Sequence, residues 1–220
     1  MGWLLIFLIF WLSLLMFFTV YYKELKTYLG GSVLKKELDK LPKDKYLVIE
    51  DIILEDSNKE KYKIDAVILS RYGIFVVKLK NVSGMIKANS NDNAWEVTKN
   101  KKMKYITNGI KENEKNIKVL SELLNMNNIF VSIVGFSNNT KIYSDSNFIT
   151  QINYIDNLIM LYNREVLNVN LFDLKNIIVN ADIKSELKRD LEEEKVEEIK
   201  TDKNDTNWLE INLKYVIIYT

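Results

Sequence analysis

Three charged residues set inside apolar runs are the first candidates for chemistry: Asp65, Lys78 and Lys80. They fall in KIDAVILSRYGIFVVKLKN, residues 63–81, two segments rich in Val, Ile and Phe joined by Ser-Arg-Tyr-Gly. The lengths and composition suit two strands of a β-hairpin. Side chains alternate across a strand, so Asp65, Val67 and Leu69 share one face, and Ile74, Val76, Lys78 and Lys80 share one face of the second strand. A loop at Arg71-Tyr72, or one from Ser70 to Gly73, pairs Leu69 with Ile74 and, four residues back along each strand, sets Asp65 opposite Lys78. A carboxylate and two ammonium groups then converge among apolar neighbours, where charges need a partner or a task.

What the chain lacks bounds that task. It contains no cysteine and no histidine, which removes disulfides, thiolate nucleophiles, Cys/His zinc sites and imidazole-based triads. Carboxylates, lysines, hydroxyls and oxygen-preferring metals remain. The net charge of +1 selects no partner, but residues 23–125 hold 21 basic and 15 acidic side chains and residues 126–220 hold 10 and 15. The basic run KNKKMK, with Lys99, Lys101, Lys102 and Lys104, reads as a solvated loop or as a contact for nucleic-acid phosphates.

The elements that position these groups follow from periodicity and punctuation. Gly2 to Tyr22 has no charged side chain and is long enough to cross a hydrocarbon core as a helix. No basic segment precedes it and no small-residue cleavage site follows, which favours an anchor over a signal peptide. Lys23, Lys26, Lys35 and Lys36 follow it, which places the N-terminus outside the cell membrane and the remaining chain in the cytoplasm. Residues 23–41 suit a helix with Val33, Leu34, Leu38 and Leu41 as its apolar stripe. Gly30-Gly31-Ser32 interrupts the helix before it, and Ser32 serves as N-cap. Strands are expected at 46–54, 85–88 and 94–98, the last two continuing a meander. A helix runs from an N-cap at Asn108 to Asn125 with Ile110, Ile117, Leu120 and Leu124 on one face. A strand follows at 129–136, then helices at 153–163 and 171–183, a charged helix or tail at 189–200 and a late alternating strand at 208–219.

Within this order, Gly31-Ser32, the hairpin, Gly84, Trp95, TNGIKEN at 107–113 and IVGFS at 133–137 make residues 31–183 resemble the nuclease-related domain (NERD) family. The resemblance implies an α+β fold with a restriction-endonuclease-like core, a mixed β-sheet flanked by helices, and nuclease activity. Such cores hold Mg²⁺ between strand carboxylates, and a lysine two residues beyond the strand Glu orients or activates water. Asp65 and Lys80 keep the family's Asp and Lys. Lys78 stands where the strand Glu is expected and Ser32 where a helix Glu is expected. Glu112 replaces a Gln, and Gly109 a Pro.

A carboxylate replaced by an ammonium alters local charge by two units, and unit charges 4 Å apart interact by about 4 kcal/mol at an effective dielectric of 20. Only Asp65 remains as a metal ligand, and an Asp65–Lys78 ion pair is the expectation. The expected protein is therefore organised as an anchor (1–22), a NERD-like domain (23–183), a charged helix or linker (184–205) and a C-terminal strand (206–220). It binds nucleic acid or protein without cutting and needs no cofactor. The alternative is a divergent Mg²⁺-dependent nuclease that uses Asp65, Lys80 and a displaced acid such as Glu50 or Asp51.

Overall fold

The computed structural model describes residues 3, 7, 10–16 and 31–187. Gly30–Ser185 forms one compact unit. The charged segment at 189–200 and the late strand at 208–219 lie outside the described residues, as does most of the expected anchor. Among the described residues, no helix is long and apolar enough to cross a membrane.

The hairpin forms as its turn chemistry dictates. Strands β2 (Lys61–Ser70) and β3 (Gly73–Lys80) pair antiparallel with Leu69 opposite Ile74 and Ser70 opposite Gly73. Gly73 has φ +144, a backbone region open to glycine at little cost. β1 (Tyr46–Glu55) lies antiparallel on β2. Beyond β3 the sheet turns parallel through β7 (Phe130–Phe136) and β9 (Ile149–Gln151), giving the mixed order β1-β2-β3-β7-β9. Pairing between neighbours supplies the ladder hydrogen bonds that these near-continuous apolar runs need.

Both faces of this sheet are covered. Helix α2 (Gly109–Leu124) and helix α4 (Leu171–Asn180) bury Val119, Leu120, Leu124, Leu174 and Ile178 against Val67, Leu69, Ile74 and Val76. The opposite face receives Leu34, Leu38 and Leu41 from the helical residues 31–38 (α1) and the turn beyond them. Ile155 and Ile159 join them from α3 (Ile155–Met160), which follows a short 3-10 turn. The apolar stripe expected of α1 is therefore its buried face. Ser32 is not its N-cap: Gly31 and Ser32 are already helical, whereas a cap residue lies outside helical backbone geometry.

A second sheet departs from the sequence expectation. β4 (Gly84–Ala88), β5 (Ala94–Lys99), β6 (Lys102–Thr107) and β8 (Thr140–Ser144) form it in the order β6-β5-β4-β8. Its inner face packs Ile86, Trp95 and Val97 against Val134, Phe136 and Ile149. The KNKKMK run is solvent-exposed along its length, and its ends belong to the strands of a hairpin that turns at Asn100-Lys101. Asn100 and Lys101 both have positive φ, +50 and +62, the requirement of a two-residue turn whose twist matches its strands. The helix expected at 171–183 stops at Asn180, because the following segment bonds to β1: the Ile183 amide donates to the Ile53 carbonyl, and the Asp182 carboxylate accepts from the Ile53 amide.

Candidate functional site

The position of Asp65 arises from a slip in the strand alternation. Leu47, Ile49, Val67 and Leu69 face the α2 side, yet so do Ile52, Leu54, Tyr62 and Ile64. Each strand has therefore shifted its facing by one residue, between 49 and 52 and between 64 and 67. The register passes from Glu50–Ala66 directly to Ile52–Ile64, leaving Asp51 and Asp65 between those pairs. Asp51 takes a positive φ of 52 there, a conformation that Asp tolerates better than most residues. On the other side of β2, the ladder to β3 ends at Ala66–Val77. The Asp65 carboxylate reaches across that splay, and its Oδ2 accepts the Leu79 amide at 2.8 Å.

Lys78 Nζ lies 3.7 Å from the same Oδ2, and both side chains are largely buried. Lys80 is directed at α2. Its Nζ sits 2.7 Å from Glu112 Oε2 and donates to Thr107 Oγ1 at 3.0 Å, and Thr107 in turn bonds to Glu112. Burial works to raise the Glu112 pKa. The hydrogen bonds from Lys80 and Thr107 and the charges of Lys80 and Lys78 outweigh it, so the carboxyl titrates below its ordinary value. Two ion pairs thus stand side by side, Asp65–Lys78 within the hairpin and Lys80–Glu112 between hairpin and helix.

The N-terminus of α2 is built to sit this close. Asn108 caps it, its Oδ1 accepting the Ile110 amide at 2.8 Å and the Lys111 amide at 3.3 Å, while its Nδ2 donates to the carbonyls of Ser90 and Asp92. Gly109 lets the helix approach: a Cβ there would lie 2.9 Å from Val134 Cγ1 and 3.1 Å from both Lys80 Cε and Trp95 Cζ3. At the other end Asn125 adopts a left-handed conformation as C-cap. Two asparagines lie on the buried face between the apolar residues. Asn113 Nδ2 donates to the Val76 carbonyl at 2.6 Å and to Ser132 Oγ at 3.0 Å, and Asn116 Nδ2 lies 3.4 Å from the Lys63 carbonyl. They serve sheet groups near the splay, which an apolar-periodicity reading passes over.

Ser32 belongs to α1, whose apolar stripe packs on the face away from α2. Asp51 bonds to Lys184 and lies 3.3 Å from Lys63. Burial raises its pKa, but those two lysines more than compensate and hold it low. Glu50 is pushed up by burial, with Lys35 at 4.0 Å only partly offsetting it. Lys99 donates to Ser83 Oγ at 2.8 Å, Lys101 occupies the β5–β6 turn, and Lys102 and Lys104 are exposed on β6. Glu112, in the first turn of α2, is the acid that reaches the hairpin lysines. Its signal in the sequence was the capping Asn108, which fixes where that first turn begins.

Asp65 Oδ2 already accepts an amide and faces an ammonium group, and Glu112 is shared by Lys80 and Thr107. Among the described residues, no group of three or more carboxylates is placed to hold a metal, whereas a hard dication bound by protein needs converging oxygen ligands.

Comparison with known proteins gives this geometry a family. An uncharacterized protein of Bacillus anthracis is 25% identical over 107 residues, 49% of this chain and 50% of that protein. The chain thus spans about half the length of the curated relative it matches. No solved structure matches. The family model for the nuclease-related domain matches residues 26–137, a span containing the hairpin, both ion pairs and the capped start of α2, and the chain belongs to that family.

Proposed function

We propose that this protein is a membrane-anchored NERD domain that holds nucleic acid without cutting it. The observation that carries the reading is the commitment of Asp65: the carboxylate at the family's metal position bonds to the Leu79 amide and faces Lys78. The mixed sheet with helices on both faces supports a restriction-endonuclease-like core. The basic β5–β6 hairpin supports phosphate binding, since Lys101, Lys102 and Lys104 meet no carboxylate among the described residues. Full-length protein incubated with single- and double-stranded DNA and RNA, with Mg²⁺ or Mn²⁺, is expected to leave them intact. Metal-dependent cleavage that disappears in Asp65→Ala overturns the reading and supports a divergent nuclease using Asp65, Lys80 and a displaced carboxylate.

Anchoring rests on the uncharged stretch from Gly2 to Tyr22. Its described residues are helical, and Trp3, Phe7, Trp11 and Leu15 are exposed. Ser13 Oγ donates to the Phe10 carbonyl at 2.8 Å, which satisfies the hydroxyl without water. The lysines that follow orient the folded unit toward the cytoplasm. Retention in the pellet after alkaline carbonate extraction, with the domain protected from protease added outside intact cells, is the expected result. Release by carbonate removes the anchor from the proposal.

A further inference from the structure

The outer face of the second sheet has a composition that its inner face does not explain. The register places Met103, Thr98, Met85 and Lys141 in one row across β6, β5, β4 and β8, and Tyr105, Glu96, Lys87 and Tyr143 in the next. The row between them points inward and carries Val97 and Ile86 in the core. Tyr105 is 67% exposed and Tyr143 47%, with Met103 at 59% and Met85 at 40%. No described helix covers this face, and its large side chains remain in solvent.

Charge narrows the choice of occupant. Lys87 and Glu96 neutralise each other at 3.1 Å between the two tyrosines. Lys141, on this face, and Lys101, in the turn, pair with no carboxylate among the described residues, while Lys102 and Lys104, opposite Lys99 and Val97, alternate to the other face. A protein partner is less well matched, because Thr98, Glu96, Lys87 and Lys141 separate the apolar side chains, whereas the centre of a protein interface is depleted of charge. Aromatic faces with cations at their margin suit a flexible polyanion with exposed rings. A duplex hides its ring faces in the stack.

We propose that the outer face of this sheet is a platform for single-stranded nucleic acid, with bases stacked on Tyr105 and Tyr143 and phosphates met by Lys141 and by Lys101 in the β5–β6 turn. Three strand spacings separate the tyrosines, about 14 Å, so they engage bases that are not adjacent and the strand runs across the sheet. Lys141 Nζ lies over the Tyr143 ring, 5.7 Å from its centroid. A base arriving there displaces that flexible side chain toward its own phosphate. The proposal rests on the nucleic-acid reading above but not on the absence of cleavage, and it uses a surface other than the Asp65 site.

The test is fluorescence anisotropy of a labelled oligothymidylate about 16 nucleotides long, titrated with full-length protein in detergent. EDTA is present, so that cleavage has no bearing on the result. Saturable binding is expected, weaker at higher salt. The Tyr105→Ala/Tyr143→Ala pair should weaken it at least about tenfold, and Tyr105→Phe/Tyr143→Phe should preserve it. Lys141→Gln with Lys101→Gln should flatten the salt dependence. Absence of saturable binding overturns the proposal, as does equal affinity for the matching duplex or unchanged affinity in the Tyr→Ala pair. A self-associating protein that binds no oligonucleotide, and that becomes monomeric in the Tyr→Ala pair, overturns it in favour of a protein interface. The unfolding transition of each variant identifies any loss of binding that reflects loss of fold.

Discussion

Lys78→Glu is the most direct probe of the candidate site, because it restores the charge that the resemblance expects and sets it against Asp65. In the parent, Lys78 Nζ is 3.7 Å from Asp65 Oδ2, close to the separation at which opposite unit charges attract by about 4 kcal/mol at an effective dielectric of 20. The variant replaces that attraction with repulsion between two carboxylates. Protonation limits the penalty: moving a carboxyl of ordinary pKa into its neutral form at pH 7 costs about 4 kcal/mol. Partial solvent access lowers it further, so a loss of about 2–4 kcal/mol is expected without metal. For a domain of this size that corresponds to roughly 5–12 °C in the melting temperature. Mg²⁺ or Mn²⁺ should then recover part of the loss, about 2.7 kcal/mol at a hundredfold excess over Kd. The parent should melt at the same temperature in EDTA and in Mn²⁺. The measurement is differential scanning fluorimetry of both proteins across a metal titration. A parent stabilised by Mn²⁺, or a Lys78→Glu variant as stable in EDTA as the parent, refutes the reasoning that Lys78 neutralises the site.

Glu112→Gln should destabilise the fold by about 1–2 kcal/mol at neutral pH, since it removes a charge-assisted bond to a mostly buried lysine. The folded-state pKa of Glu112 lies below its ordinary 4.5, so the carboxylate contributes stability above that value and loses it as pH falls through the depressed one. Urea unfolding of parent and variant should therefore converge on the acid side, and a constant difference across pH would show that the pair does not titrate as described. Gly109→Ala should cost about 1–3 kcal/mol through overpacking against Val134, Lys80 and Trp95, despite alanine's better helix propensity. An unchanged urea midpoint would mean that α2 does not approach the sheet as closely as the structure places it.

What was legible in the sequence was local. The Arg71-Tyr72 turn set the register beside it, Leu69 opposite Ile74, because a turn of that length leaves one pairing for the apolar residues that flank it. The ends of α2 were readable from Asn108 and Asn125, which cap through side-chain and backbone geometry within a few residues. The missing His and Cys restricted the available chemistry without any fold at all.

The tertiary structure decided what depends on distant partners. β8 and β9 are short strands that exist through parallel pairing with β4 and β7, and their own residues carry little signal of it. The division into two sheets turns on the burial of Trp95 and Ile86 against Val134 and Phe136, which no periodicity in the 84–107 segment records. The slip at Asp51 and Asp65 and the splay beyond Ala66–Val77 are likewise properties of paired strands. Asp65 and Lys78 could be set opposite each other from sequence, but that Leu79 donates its amide to Asp65, and that Glu112 of α2 is held by Lys80, follows only once a helix and three strands are packed together.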